Sequence, residues 1–252
     1  MAGQERTISV LKLFTLETPD RTVEDVANAL GVSVSSAYRY VAALSEAGFL
    51  TTMSSGRYVL GPAVIQLDRQ IQLTDPLLVA ARPIMDELAR FAPADSAVLL
   101  CRLFRDTVLC VHRVLAASTG EQVSYERGRP MPLFRGATSK VIMASLGPRD
   151  LLRFYKSHEA EIAAVGLGES SPTFRANMTK IRKAGHLITH AEIDPGLIGI
   201  AAPILDDANR AMASLSYVVR DKEAGATARL AALVMASARE IEHSLRVTSA
   251  VR

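Results

Sequence analysis

The sequence predicts a mixed α+β chain in two parts, and three observations carry that expectation. Residues 22–44 hold two short amphipathic helical patterns separated by a glycine, with a hairpin pattern close behind. From Ala97 onward, runs rich in Val, Ile and Leu read as strands pairing in hairpins, with helical stretches between them. Between these regions, Gly61-Pro62 ends the hairpin and opens a new helix. The expected domains are therefore residues 1–61, a linker helix over 62–76, and a larger unit over 77–252.

The N-terminal elements follow from their apolar spacing and caps. A first helix is expected over Ile8–Leu16, packing through Ile8, Leu11, Leu13, Phe14 and Leu16. Thr22 is a good N-cap for a helix with Val23, Val26, Ala27 and Leu30 on one face. Gly31 can take the left-handed conformation that ends it. Ser33 caps a second helix with inward residues Val34, Ala37, Val41 and Leu44; Ser35, Ser36, Arg39 and Tyr40 show on its other face. Gly48 ends that helix, and Phe49–Met53 and Arg57–Leu60 alternate like strands around Ser54-Ser55-Gly56. An ordinary helical hairpin would satisfy the first two helices alone. Adding the hairpin makes a winged helix-turn-helix, in which the second helix leads into the major groove of double-stranded DNA. The residues expected at DNA are Ser33, Ser35, Ser36 and Arg39 at base edges or phosphates, with Tyr38 and Tyr40 at the backbone. Arg57, expected at the wing tip, is assigned to a place in or beside the minor groove.

Charge constrains how such a domain could bind. Residues 1–61 carry five Lys/Arg against six acids, a net −1. Binding must rest on few cations, on hydroxyls and helix N-termini at phosphates, and on doubling the site through dimerisation. After Pro62, Val64, Ile65, Leu67, Ile71 and Leu73 give the linker helix more apolar surface than a solitary helix keeps. Either its own domain or another subunit must cover it. A longer helix is expected over Leu77–Phe91, with Pro83 kinking it or marking its true start.

In the larger unit, strands are expected over Ala97–Phe104 and Thr107–Val114, turning at Arg105-Asp106 so that Cys101 faces Cys110. Further strands are expected at Val123–Tyr125, His186–Glu192, Ile200–Leu205 and Ala211–Val219. Helices are expected over Thr138–Leu146, Arg149–Ser157, Thr173–Ala184 and Thr227–Leu245. Hairpin pairing with flanking helices implies an antiparallel sheet.

Composition excludes more than it selects. The chain has 252 residues, 49% hydrophobic, with a net charge of +3 and a mean hydropathy of +0.17. No apolar run approaches the roughly 18–20 residues of a membrane span, so no membrane partner is expected. The N-terminus lacks a basic-then-apolar export signal, and two cysteines suit a reducing compartment; a cytoplasmic protein is expected. The histidines His112, His158, His186, His190 and His243 include no HExxH arrangement. Neither a Gly-x-Ser-x-Gly elbow, a Walker loop nor a dinucleotide fingerprint is present. The chain is read as a non-enzyme with no cofactor, no catalytic residue and no metal site. The alternative is a metal-binding or catalytic C-terminal domain, with His186 and His190 as the only histidines four apart.

Taken together, several segments resemble the IclR family of bacterial transcription regulators over nearly the whole chain. They are Ser35-Ser36-Ala37-Tyr38-Arg39, Gly56-Arg57-Tyr58-Val59-Leu60-Gly61-Pro62 and Ala81-Arg82-Pro83-Ile84-Met85-Asp86-Glu87-Leu88-Ala89. Further on come Val111-His112-Arg113-Val114, Ala137-Thr138-Ser139-Lys140, Ile181-Arg182-Lys183-Ala184-Gly185-His186, Ile200-Ala201-Ala202-Pro203-Ile204 and Ser214-Leu215-Ser216. The resemblance implies a winged helix-turn-helix, a linker helix and a GAF-like effector domain. It also implies a homodimer or dimer of dimers on palindromic operators near promoters.

The effector site has a physical argument of its own. Gly136-Ala137-Thr138 opens an apolar helix, and small residues there leave backbone N–H groups and the helix dipole open to an anion. The resemblance adds Thr189, Gly199, Ser214 and Ser216 to the pocket. Similar proteins often carry acids after the Gly-Tyr step, where this chain has Leu187-Ile188-Thr189-His190-Ala191-Glu192. A lost acid and a nearby Arg135 point to an anionic effector, an aromatic or short aliphatic carboxylate.

Overall fold

A computed structural model describes residues 3–116 and 126–250 of the chain. The expected strand at Val123–Tyr125 lies outside them. The chain divides into two compact units, Met1–Asp75 and Pro76–Arg252.

The first unit contains α1 (Gly3–Leu11), α2 (Val23–Leu30), α3 (Val34–Glu46), β1 (Leu50–Thr52), β2 (Tyr58–Leu60) and α4 (Pro62–Thr74). Its core is Val10, Val26, Ala27, Ala37, Val41, Leu44 and Leu50. α2 starts with a reciprocal cap, Asp25 N–H to Thr22 Oγ1 at 3.1 Å and Thr22 N–H to Asp25 Oδ2 at 2.9 Å. It ends at Gly31, where φ is 62°. Strands β1 and β2 pair antiparallel from Leu50↔Leu60 to Thr52↔Tyr58, and a 3₁₀ turn over Ser54–Gly56 forms the wing tip. Tyr58 and Arg21 exchange backbone hydrogen bonds at 2.8 and 3.0 Å, tying the wing to the segment before α2.

Two expectations in this unit need correction. The first helix ends at Leu11 rather than Leu16; Ile8 is 63% exposed and Leu16 93% exposed, while Val10 is the buried contact. Its last turn tightens through Lys12 N–H to Ser9 O and Leu13 N–H to Val10 O, so Leu13 and Phe14 reach the core from outside the helix. Val34, expected inside, is 51% exposed. It is the first residue of α3, on the same face as buried Ala37 but one turn beyond it at the helix end.

The second unit contains α5 (Pro76–Arg90), β3 (Ala97–Phe104), β4 (Thr107–Leu115), β5 (Pro130–Met131), α6 (Ala137–Ala144), α7 (Pro148–Ser157), α8 (Glu159–Ala164) and α9 (Ser171–Ala184). Then come β6 (Leu187–His190), β7 (Leu197–Leu205), β8 (Ala211–Arg220) and α10 (Thr227–Ala250). The strands form one antiparallel sheet in the order β5-β4-β3-β8-β7-β6. Pro83 neither starts nor ends α5; it lies on the exposed face of a continuous helix, where a missing N–H is tolerated.

Alternation along the strands explains the layers. Val98, Leu100, Ile198, Ile200, Leu215 and Tyr217 face α5 and α10. Ala97, Leu99, Cys101 and Val218 face the other way, toward α6, α7 and α9. With both faces covered, strands such as Ala97–Cys101 are apolar at every position. Cys101 does lie opposite Cys110, and both are buried free thiols. The Tyr217 hydroxyl donates to Leu88 O at 2.6 Å, joining sheet to α5, and burial pushes its phenol pKa up.

Candidate functional site

Two groups of residues have the makings of a site, one in each unit. On α3, Ser33, Ser35, Tyr38 and Arg39 are exposed, Tyr38 by 60%. Ser33 Oγ accepts the Ser36 N–H at 3.3 Å, and Ser36 Oγ receives bonds from Ser33 Oγ at 3.0 Å and Arg39 Nη2 at 3.4 Å. Positions at i and i+3 share a helix face, so the cap, the hydroxyl and the guanidinium form one row. Val34, missed as a surface residue, adds an apolar spot beside it. Tyr40 departs from expectation: it is half-buried and packs against the core of its unit.

Arg57 also differs from its expected place. It follows the wing tip, and its Nη2 contacts Asp20 Oδ1 at 2.6 Å and approaches Asp25 Oδ2 at 4.0 Å. The Arg57 guanidinium holds the Asp20 carboxyl below the usual carboxylate range. Asp25 is lowered chiefly by the Thr22 backbone N–H, and Arg57 itself is raised by Asp20. The wing arginine is thus paired with an acid of its own domain.

In the second unit, the N-terminus of α6 meets the sheet. Ala137 N–H donates to Thr189 Oγ1 at 3.1 Å, and Thr138 Oγ1 donates to Ser216 Oγ at 3.0 Å. Register explains the convergence: Thr189 pairs with Gly199, Gly199 with Val218, Ala201 with Ser216 and Pro203 with Ser214, all on the α6 face. A Cβ on Gly199 would sit 3.1 Å from Thr189 Oγ1 and 3.5 Å from the Ala137 Cβ, so a larger residue would press on the Thr189 hydroxyl. Gly136, Ala137, Thr138, Thr189, Gly199 and Ser216 are therefore brought together in space, and Ser214 lies along the same face of β8. Arg135 is exposed and stands outside this contact set.

The cation within the site is Lys140, and its partner is an acid thought lost. Glu192 accepts the Gly136 N–H at 2.8 Å through Oε2, and both its oxygens lie 2.7 Å from Lys140 Nζ. The expectation that this chain lacks an acid after the glycine step is corrected: the carboxylate comes from Glu192, beyond the end of β6. One signal for the pair was present in sequence. Lys140 is the one charged residue in the small and apolar run Ala137–Ala144, which the structure buries throughout, and a lysine so placed calls for a carboxylate.

Among the described residues, no group of three or more His, Cys, Asp or Glu could hold a metal ion. His186 lies just before β6, with Nδ1 3.0 Å from Ala184 O. No described helix is long and apolar enough to cross a membrane.

Comparison with known proteins decides the family. Residues 5–53 match the IclR helix-turn-helix domain, and residues 73–243 match the C-terminal domain of IclR bacterial transcriptional regulators. The chain belongs to the IclR family. Among its relatives are the HTH-type transcriptional regulator KipR of Bacillus subtilis, 25% identical over 84% of this chain and 83% of its own length. Another is the HTH-type regulator BhcR of Paracoccus denitrificans, 24% identical over 84% of this chain and 75% of its own. An IclR-type regulator of Alicyclobacillus acidocaldarius shares the fold with a TM-score of 0.78 at 20% identity, over 96% of this chain and 98% of its own. So does an IclR homologue from Microbacterium hydrocarbonoxydans solved with 4-hydroxybenzoate, with a TM-score of 0.76 at 19% identity, over 98% and 100%. As an IclR-type transcriptional regulator, the chain joins a helix-turn-helix to a C-terminal effector-binding domain.

Proposed function

We propose that this IclR-family protein is a cytoplasmic, homo-oligomeric promoter-binding regulator that responds to a small carboxylate. Residues 1–61 read double-stranded DNA, 62–76 link, and 77–252 bind the effector. On α3, the Ser33–Ser36–Arg39 row with Ser35 and Tyr38 meets the major groove of a palindromic operator. Dimers or dimers of dimers supply the second half-site that a domain of net −1 needs.

The observation that carries the effector assignment is that the α6 N-terminus and buried Lys140 already hold a carboxylate, that of Glu192. The Gly136 N–H, a helix dipole and a fixed ammonium make one anion site. Thr138, Thr189 and Ser216 supply polar contacts beside it. The Microbacterium hydrocarbonoxydans homologue, bound to 4-hydroxybenzoate, supports an aromatic acid as the class to test first.

The test joins both halves. Purified full-length protein is offered fragments from upstream of its own gene and random DNA of equal length, with and without 4-hydroxybenzoate. A preference for one fragment that the acid shifts in either direction is the expected result. Equal retention of every fragment under all conditions sinks the proposal.

A further inference from the structure

The anion site at α6 is full, and what fills it is part of the chain. Glu192 satisfies the Gly136 N–H and Lys140 together. The two partners are unequally placed: the Lys140 side chain is 8% exposed, the Glu192 side chain 31%. The cation is fixed inside, whereas the carboxylate is already partly in water and regains full hydration when it swings out. Beside it, among Thr189, Glu192, Gly199 and Val218, a cavity of only about 10 Å³ remains, room for no more than one water.

Two further features fit a site that opens. Ser214 is completely buried, and its Oγ has no hydrogen-bond partner among the described residues. By strand alternation it projects to the same side as Ser216, whose Oγ meets α6 through Thr138. Next to Glu192, Ala191 holds a φ of 51°, which L residues other than Asn or Asp adopt at a cost. The backbone that leads into Glu192 is therefore held at a cost.

We propose that Glu192 is a resident competitor for the effector, and that a ligand carboxylate binds by displacing it from Gly136 and Lys140. This rests on the carboxylate reading of the site. Exchanging one carboxylate for another leaves those donors equally satisfied, so the net gain comes from the body of the ligand. The exchange also selects for charge. A neutral isostere that expelled Glu192 would leave Lys140 buried without a counter-ion, which the site disfavours strongly.

Calorimetry on the full-length protein tests this with benzoate, 4-hydroxybenzoate and pyruvate, and with 4-hydroxybenzamide as the neutral control. Glu192→Gln removes the competing charge and is expected to tighten acid binding by about tenfold or more, because the open site is no longer rarely populated. Glu192→Asp keeps the charge on a shorter arm and should fall between. It also gives the sign of the effect if the Gln variant fails to fold, which near-ultraviolet circular dichroism will report. Acids that bind wild type and variants equally, or bind the variants more weakly, overturn the displacement and leave the carboxylate reading standing. No acid binding to any of the three proteins, or amide binding as tight as the acid, brings down the carboxylate reading and the inference with it.

Discussion

At the scale of single residues, the exposed surface of α3 proposed to meet DNA carries one cation and the hydroxyls that contact it. Ser36 Oγ receives Arg39 Nη2 at 3.4 Å, so the guanidinium is oriented before any DNA arrives. Arg39→Ala should weaken operator binding by about 1–3 kcal/mol if it reads a base, with relaxed preference at one position. A gel-shift series over single-base operator variants checks both outcomes. Arg57 calls for the opposite experiment. Asp20 holds it, and Asp20→Asn would release a cation while removing an acid. Tighter binding to DNA and a steeper dependence on salt are expected, read as the slope of log affinity against log salt concentration. The pH dependence has a definite sign. Because the folded Asp20 pKa lies below its ordinary value, the tether is present above that ordinary value and lost as pH falls through the lowered one. Carboxyl chemical shifts of Asp20 in an acid titration will follow it. The Ser33–Ser36–Arg39 row was legible because i, i+3 spacing is local. The Asp20–Arg57 pair was not, since 37 residues separate the partners and only the wing's return brings them together.

At the scale of elements, the caps and alternation visible in sequence govern most of the fold. Thr22 and Ser33 cap helices, Gly31 ends one, and Cys101 pairs with Cys110 as the two-residue turn dictates. What local pattern misses is structure set by tertiary contact. The two-residue strand β5 and short α8 carry too few residues for a period, and the first helix was extended past its end because Leu13 and Phe14 are apolar for reasons of packing. The candidate site divides the same way. Small residues at the start of α6 announced an anion site, yet its occupant, Glu192, lies 56 residues from Gly136. Arg135 drew attention by proximity in sequence, whereas the buried cation is one turn along the helix. The junction itself depends on Gly136, whose φ of 78° and ψ of 150° belong to a region that side chains strongly disfavour. Gly136→Ala should cost about 1–3 kcal/mol and turn the N–H away from Glu192. Chemical denaturation reads the loss, and calorimetry with 4-hydroxybenzoate reads the damaged site.

At the scale of the whole molecule, charge and exposed apolar surface point to the same requirement. The first domain is net negative, so a single copy gains little from counterion release and its affinity for any DNA is limited. α4 has no buried residue, and it exposes Leu67 by 44% and Ile71 by 53%, one turn apart on one face. Apolar side chains repeated in that way on a helix are stable in water only when another surface covers them. If a second copy does so, two α3 helices are held at once, and the second half-site binds at an effective concentration far above that of free protein. Leu67→Asp with Ile71→Asp in the full-length chain should then give a monomer by sedimentation and lower affinity for a palindromic operator by about 100-fold or more. The C-terminal unit should be untouched, so 4-hydroxybenzoate binding serves as the control that the variant is folded. Unchanged mass with unchanged operator affinity would show that α4 is not the surface that joins the copies.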